Sequence, residues 1–345
     1  MLSNAAGVVK IFLLSYKFGF SESTYSEKKQ RLRSSSSAMP LTLRQIRYFV
    51  AVAETGKIAA AASSVGISPS AITEALQELE AVTGVLLVTR HRRGVRLTYD
   101  GYRFLQHSQN ILAAVSDATY ALSKSHTSFS GRLTLGATIT VAGYFLASPL
   151  ARFRRTFPHL NVQVQEHSRA IIERQLANGQ LDVAVILVSN LQNTEEIAAE
   201  VLVRSKRRLW TASNHPLLEK DEVTLADIAE EPYIQLMIDE AGKSHLAFWE
   251  RHGLRPRIEF RTESVEAVRS LVATGAGVTI LSDMVYRPWS LEGDRIESKD
   301  VVDEIPTMDV GLARKRDADI DDRVKAFIDF CRMEYTSGRP RMAVD

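Results

Sequence analysis

Arg90, Arg92, Arg93 and Arg96 fall within seven residues, and no acidic residue interrupts them. Guanidinium groups at that density suit phosphate oxygens, which they meet with paired N–H donors. Just upstream, Ser70, Thr73, Glu74 and Gln77 recur at i, i+3, i+4 and i+7, the spacing of one helix face. Short polar side chains of this kind reach base edges in a major groove without filling it. Alone, the face reads equally well as solvated helix surface. The arginine run directly after it favours nucleic acid.

A second set of polar residues recurs where predicted strands meet helices. Thr138 and Thr140 follow one strand, Ser168 and Arg169 open a helix, Ser264 caps another, and Ser282 ends the strand Val278–Leu281. Hydroxyls beside helix N-termini, where backbone amides point outward, suit a small anion. Each also reads simply as a cap, so the set carries more than any member. Asp239 and Glu240 point instead toward an amine or heterocycle. Catalytic patterns are missing: the sequence has no HExxH, no GxSxG and no P-loop, and its eight histidines show no ligand spacing. Gly275-Ala276-Gly277 follows a helix and opens a strand, the reverse of a dinucleotide loop, so Gly275 reads as a helix cap. Neither a metal nor a cofactor is expected.

The single cysteine, Cys331, excludes an internal disulfide and a thiolate zinc cage, and reads as a buried structural thiol. With 345 residues, 45% hydrophobic and 24% charged, the chain has the composition of a folded protein of two or three domains. No stretch approaches the ~20 apolar residues of a membrane span. The expectation is a soluble, cytoplasmic chain.

The elements that position these residues follow from periodicity. Residues 1–38 end in the low-complexity run Ser34–Ser37 and lack a signal-peptide cleavage site, so they read as a disordered extension, with Met39 as a candidate start. Ile46, Phe49, Val50 and Ala53 give an amphipathic helix over Leu41–Thr55 that stops at Gly56. Lys57–Val65 is a short alanine-rich helix. After Gly66, Ser68 caps a third helix, Pro69–Thr83, with Pro69 at its first position and Ile72, Leu76 and Leu79 buried. Two helices across a glycine turn make a helix-turn-helix, and Val85–Thr98 adds a hairpin whose basic turn, Arg90–Gly94, forms a wing. The next helix, Tyr99 to about His126, spans roughly 40 Å at 1.5 Å per residue. Leu105, Ser108, Leu112, Val115, Thr119 and Leu122 occupy its heptad a and d positions, a dimerisation seam, and Ser125–Gly131 reads as a hinge.

From Arg132, strands and helices alternate. Leu133–Ala137, Val162–Val164 and the apolar run Leu181–Leu187 form a βαβαβ unit with a parallel sheet. Strands at Tyr233–Met237, Ile258–Phe260 and Val278–Leu281, with helices at Leu225–Glu230, Leu246–His252 and Val265–Ala273, form a second lobe. Asp309–Ala313 and a helix Ile320–Tyr335 close the chain. Two such lobes make a clamshell with its cleft at the strand ends.

The stretch LRQIRYFVAVAETGKIAAAASSVGISPSAITEALQELEAVTGVLLVTRHRRGVRLTYDG resembles the N-terminal module of the LysR-type transcriptional regulators, down to Leu79-Glu80, Gly84, Arg90 and Leu97-Thr98…Gly101. GRLTLGATIT, LANGQLDVAVIL and ATGAGVTILSDM resemble landmarks of the same family's effector domain. Glu74, where the family commonly has Arg, and Val88, where it usually has Phe, depart from the pattern.

The resemblance implies an α/β protein with an N-terminal winged helix-turn-helix (39–98) and a linker and dimerisation helix with hinge (99–131). A two-lobed, type II periplasmic-binding-protein-like effector domain follows, as 132–206 plus 308–335 and 207–307. It places Ser68, Ser70, Thr73 and Gln77 on the recognition helix and Arg90, Arg92 and Arg93 on the wing. An acidic Glu74 there reads a cytosine amino group or points aside. Thr138, Thr140, Ser168, Arg169, Ser264 and Ser282 fall where effector carboxylates dock. Expected partners are operator DNA, a carboxylate or heterocyclic effector, further copies of the chain in a dimer or tetramer, and RNA polymerase if the protein activates. A transporter's solute-binding protein is the second reading, with residues 1–38 as its export signal, but it leaves the helix-turn-helix without a purpose. An enzyme is third.

Overall fold

The computed structural model describes residues 41–91, 94–123, 129–240 and 247–336. Residues 1–38, Arg92, Arg93, the side chains of Thr119 and Leu122, and much of the Ser125–Gly131 segment lie outside what is described. The chain divides into two units near Ser116.

The first unit holds α1 (Leu43–Thr55), α2 (Ile58–Val65), α3 (Pro69–Thr83), the antiparallel pair β1 (Val88–His91) and β2 (Gly94–Leu97), and the start of α4 (Tyr99–Ser123). Thr42 and Gln45 close a capping box at the start of α1, and Gly56 ends that helix in the left-handed region at φ 63°. Ala61 and Ala62 are fully buried, so α2 packs closely against its neighbours. Ile72, Leu76 and Leu79 of α3 join Ile46, Phe49 and Val50 of α1 in one core, as the periodicity predicts. Phe49 meets Phe104 edge-on at 5.2 Å.

The wing is fixed by backbone contacts. Val95 N donates to Gly56 O at 2.7 Å, and a Cβ on Gly94 would lie 2.3 Å from that same oxygen. Gly101 has the same constraint, since its Cβ would sit 1.9 Å from Leu87 O.

α4 departs from a simple heptad seam. Leu105 and Ser108 are buried and Leu112 packs on the same core, so these seam positions face their own domain. Val115 is exposed. The physical reason is that α4 starts as the fourth wall of the winged module, whose core needs an apolar face there.

The second unit contains two lobes. In the first, β3 (Gly131–Ala137), β4 (Leu160–Glu166), β5 (Val183–Leu187), β6 (Ile197–Ser205) and β12 (Met308–Lys315) form a sheet of order β4-β3-β5-β12-β6. β3 pairs in parallel with β4 and β5, and β12 runs antiparallel to β5 and β6. The crossovers are α5, a helical run at 139–156 that includes a π turn over Ala142–Leu146, and α6 (Arg169–Ala177). The chain leaves this sheet after Ser205 and enters β7 (Arg207–Ala212) of the second lobe at once.

That lobe pairs β7 antiparallel with β10 (Thr279–Ser282) and β11 (Ile296–Lys299), and β8 (Pro232–Leu236) parallel with β9 (Arg257–Thr262). A bridge between Tyr233 and Val278 joins the two sheets. α7 (Leu225–Ala229), a helical stretch at 247–251 and α8 (Val265–Ala273) cover them. The chain then returns through β12 and ends on α9 (Asp322–Thr336). Thr224 and Asp227 form the expected capping box. Three strands, β6, β7 and β11, go beyond the sequence reading. The charges of β7 disguise it: Arg208 is buried, with Nε 3.3 Å from Asp283 and 3.2 Å from Asp300.

Candidate nucleic-acid interface and effector cleft

Ser68 Oγ accepts the amide of Ala71 at 3.3 Å and lies 2.9 Å from Ser70 Oγ. Both side chains open outward at the start of α3. Thr73 donates to Pro69 O at 3.0 Å, which fixes its rotamer, while Glu74 and Gln77 are exposed on the same face. The predicted face therefore exists, with its hydroxyls oriented by local hydrogen bonds. Arg90 and Arg96 are exposed on the hairpin. Sequence reasoning did not assign a role to Glu80. Its buried carboxylate accepts Leu87 N at 2.8 Å and Val88 N at 3.1 Å, tying the end of α3 to the first wing strand.

In the second unit the structure brings together some of the predicted hydroxyls. Thr140 and Ser282 line a cavity between the lobes together with Asn190, Arg207, Asp239 and Met308. The cavity is about 30 Å³, room for roughly one or two waters. Thr138 is buried close by, at the start of α5, and the hydroxyls of Thr138 and Thr140 have no hydrogen-bond partner. Ser282 donates to Ser205 Oγ at 2.7 Å, across the point where the chain changes lobe.

The other predicted positions do not line this cavity, and two of them have local partners. Arg169 binds Glu173 at 2.8 Å, and that carboxylate also receives the amides of Gln192 and Asn193. Ser264 accepts Ala267 N at 3.2 Å as a helix cap. Ser168 stands exposed at the N-cap of α6, with no side-chain bond to the helix.

Arg207 and Asn190 are cleft residues that the sequence reading missed. Burial lowers the Arg207 guanidinium from its usual range. A partly desolvated arginine at a cleft wall is a candidate partner for an anion. Its signal in the sequence was only a charged tripeptide, Lys206-Arg207-Arg208, ahead of an apolar pair.

Asp239 crosses the cleft. Its Oδ2 accepts Thr140 N at 2.8 Å, and its carbonyl accepts Asn190 Nδ2 at 3.0 Å. The carboxylate read from sequence as a hint of an amine ligand is thus engaged by the protein's own backbone. Among the described residues no cluster of His, Cys, Asp and Glu could hold a metal ion, and no helix is long and apolar enough to cross a membrane.

Comparison with known proteins agrees with this architecture. Residues 43–102 match the bacterial regulatory helix-turn-helix model of the lysR family, and residues 126–336 match the LysR substrate binding domain. The chain is 32% identical over 251 residues to YnfL of Escherichia coli (strain K12), an uncharacterized HTH-type transcriptional regulator. That match covers 70% of this chain and 82% of YnfL. Against AlsR of Bacillus subtilis (strain 168), an HTH-type transcriptional regulator, identity is 27% over 255 residues, covering 73% and 84%. The crystal structure of HinK, a LysR family transcriptional regulator from Pseudomonas aeruginosa, superposes with a TM-score of 0.55 at 26% identity, over 86% of this chain and 99% of HinK. A helix-turn-helix with its wing, followed by a two-lobed α/β unit and matched by family over both parts, identifies the chain as a member of the LysR family of transcriptional regulators.

Proposed function

We propose that this regulator reads its operator with Ser68, Ser70, Thr73 and Gln77 in the major groove, while the wing holds the phosphate backbone. The exposed polar face of α3 beside the hairpin arginines carries this reading. In solution the protein is a dimer or a dimer of dimers, joined through the outward face of α4 that includes Val115. It contacts RNA polymerase where it activates. It works in the cytoplasm as a DNA-binding switch without catalysis.

The effector site is the cleft between the lobes 132–206 plus 308–335 and 207–307, with the unpartnered hydroxyls of Thr138 and Thr140 as its donors. Ser282 supports the wall. A small carboxylate or heterocycle that changes lobe closure shifts the population between two arrangements on DNA.

The test is a comparison of two variants on an operator and on random duplex across a salt series. Arg90→Ala should weaken binding to both duplexes and reduce the salt slope by about one. Gln77→Ala should chiefly relax preference at one base pair, by about 1–3 kcal/mol. Equal losses on both duplexes for Gln77→Ala would remove it from base readout. The cleft reading is tested separately with residues 132–345. Stabilisation by a small molecule that Thr140→Ala abolishes supports it, and stabilisation unaffected by that change defeats it.

A further inference from the structure

The bond between Asp239 and Thr140 has a second meaning, because Asp239 belongs to the second lobe and Thr140 to the first. Asp239 lies in the turn Ile238–Glu240 that follows β8, and Thr140 opens the helical run 139–156. Three observations converge there. The carboxylate Oδ2 sits 2.8 Å from Thr140 N, on an amide at a helix start that has no partner within the helix. The hydroxyls of Thr138 and Thr140 are more than nine-tenths buried and unpartnered, beside the same amide. Asp239 reaches this place with φ 46° and ψ 43°, and no other described residue except glycine has a positive φ. Left-handed backbone is rare for a residue with a Cβ and persists where the surroundings over-determine it.

The carboxylate takes the Thr140 amide, while the buried hydroxyls of Thr138 and Thr140 stay unpartnered and Arg207 lies on the wall of the same cavity. A small carboxylate would find an amide that Asp239 already takes and two hydroxyls able to donate to it. Resting on the reading of this cleft as the effector site, we propose that Asp239 is a tethered carboxylate that occupies the effector's own anion seat and holds the lobes together until a small carboxylate displaces it. Further cross-lobe bonds, from Tyr144 Oη to Glu266 Oε1 at 2.8 Å and from Ser282 Oγ to Ser205 Oγ, add to the closure.

A tethered competitor acts at a high effective concentration, so the free ligand meets a seat that is open only a fraction of the time. Removing the tether should tighten carboxylate binding by that fraction, tenfold or more. The experiment titrates the full chain with sodium acetate, succinate and benzoate against sodium chloride at matched ionic strength, read by thermal shift and calorimetry. Asp239→Gly removes the carboxylate and accepts the left-handed backbone. Asp239→Asn keeps the size and the turn but loses the charge.

Asp239→Gly should bind at least one carboxylate at a tenfold lower concentration than the unaltered chain, with Asp239→Asn shifted in the same direction. Adding Thr140→Val to Asp239→Gly should reverse the gain. Equal titration of the unaltered and Asp239→Gly chains, both weakened by Thr140→Val, overturns the tether and leaves the cleft reading standing. A gain that survives Thr140→Val overturns both. Absence of any carboxylate-specific shift in Asp239→Gly and Asp239→Asn overturns the tether as well.

Discussion

The carboxylate of Glu80 lies 2.8 Å from the amide of Leu87, and the same oxygen receives Val88 N at 3.1 Å. The recognition helix and the wing are therefore joined by one buried side chain at the point where the chain changes from helix to strand. Glu80→Ala leaves two amides without their acceptor in a region that water reaches poorly. Charge-assisted bonds of this kind contribute about 1.5–3 kcal/mol each, and an orphaned buried donor adds a similar cost. The variant should unfold its winged module earlier in denaturant, with faster hydrogen exchange at Leu87 and Val88. Unchanged exchange at both amides would show that another group satisfies them.

Much of this module is legible because its signals are local. Gly56, Gly66 and Gly84 each adopt a left-handed conformation after a helix, and Ser68 with Pro69 starts the next one. The role of Glu80 was not legible, because its partners are backbone amides seven and eight residues away that carry no side-chain signature. In the second unit β3 and β4 announce themselves by alternating apolar residues, and β5 by an apolar run buried on both faces. β7 and β11 do not, because Arg208 and Glu297 are buried in ion pairs that read as loop charges in sequence. The cleft illustrates the same limit. Thr140 and Ser282 were found from their places at strand ends, whereas Arg207, Asn190 and the bond from Asp239 depend on how two lobes meet.

Gly101 has no steric freedom to change. A Cβ there would lie 1.9 Å from Leu87 O, a backbone atom that cannot swing away. Its amide also donates to Thr98 Oγ1 at 2.9 Å, and that hydroxyl donates to Leu86 O at 2.7 Å. Gly101→Ala should force α4 away from the segment before β1 and destabilise the module by about 1–3 kcal/mol, the overpacking range. DNA affinity should fall with it, since the wing and the linker helix share this contact. Gly66→Ala is the informative comparison, because its Cβ would meet nothing within 4 Å and only the φ of 71° opposes it. A loss at Gly101 no larger than at Gly66 would show that the backbone at Leu87 yields to the added methyl.

Cys331 is 2% exposed in the core of the first lobe, and burial pushes its thiol pKa well above the ordinary value. A thiol held protonated is a poor nucleophile toward peroxide or aromatic disulfides. Labelling of the native chain should be slow and should accelerate with unfolding, while dilute hydrogen peroxide should leave DNA binding unchanged. Rapid stoichiometric labelling in native buffer would contradict the burial. Cys331→Ala should lower stability by about 1 kcal/mol through a small lost contact volume, without changing any response to ligand.

Glu54, in the last turn of α1, is 6% exposed, and its Oε2 has no hydrogen-bond partner. Desolvation raises its carboxyl from 4.5 to about 9, so the folded module holds this side chain protonated at neutral pH. The unfolded chain releases the same proton near 4.5, so between these values the folded state binds more protons than the unfolded one. Stability from this group is thus fully present below about pH 4.5, falls as pH rises, and is lost above about 9. At pH 7 the shift corresponds to about 3 kcal/mol, of which local relaxation would remove part. Glu54→Gln keeps the shape without an ionisable proton. Hydrogen exchange of the α1 amides, measured from pH 5 to 8 and corrected for intrinsic rates, should show stability declining with pH in the unaltered chain. The glutamine variant should give a flatter profile and gain most at the alkaline end. A flat profile in the unaltered chain would mean that Glu54 is ionised in the fold, and the glutamine variant would then bring no alkaline gain.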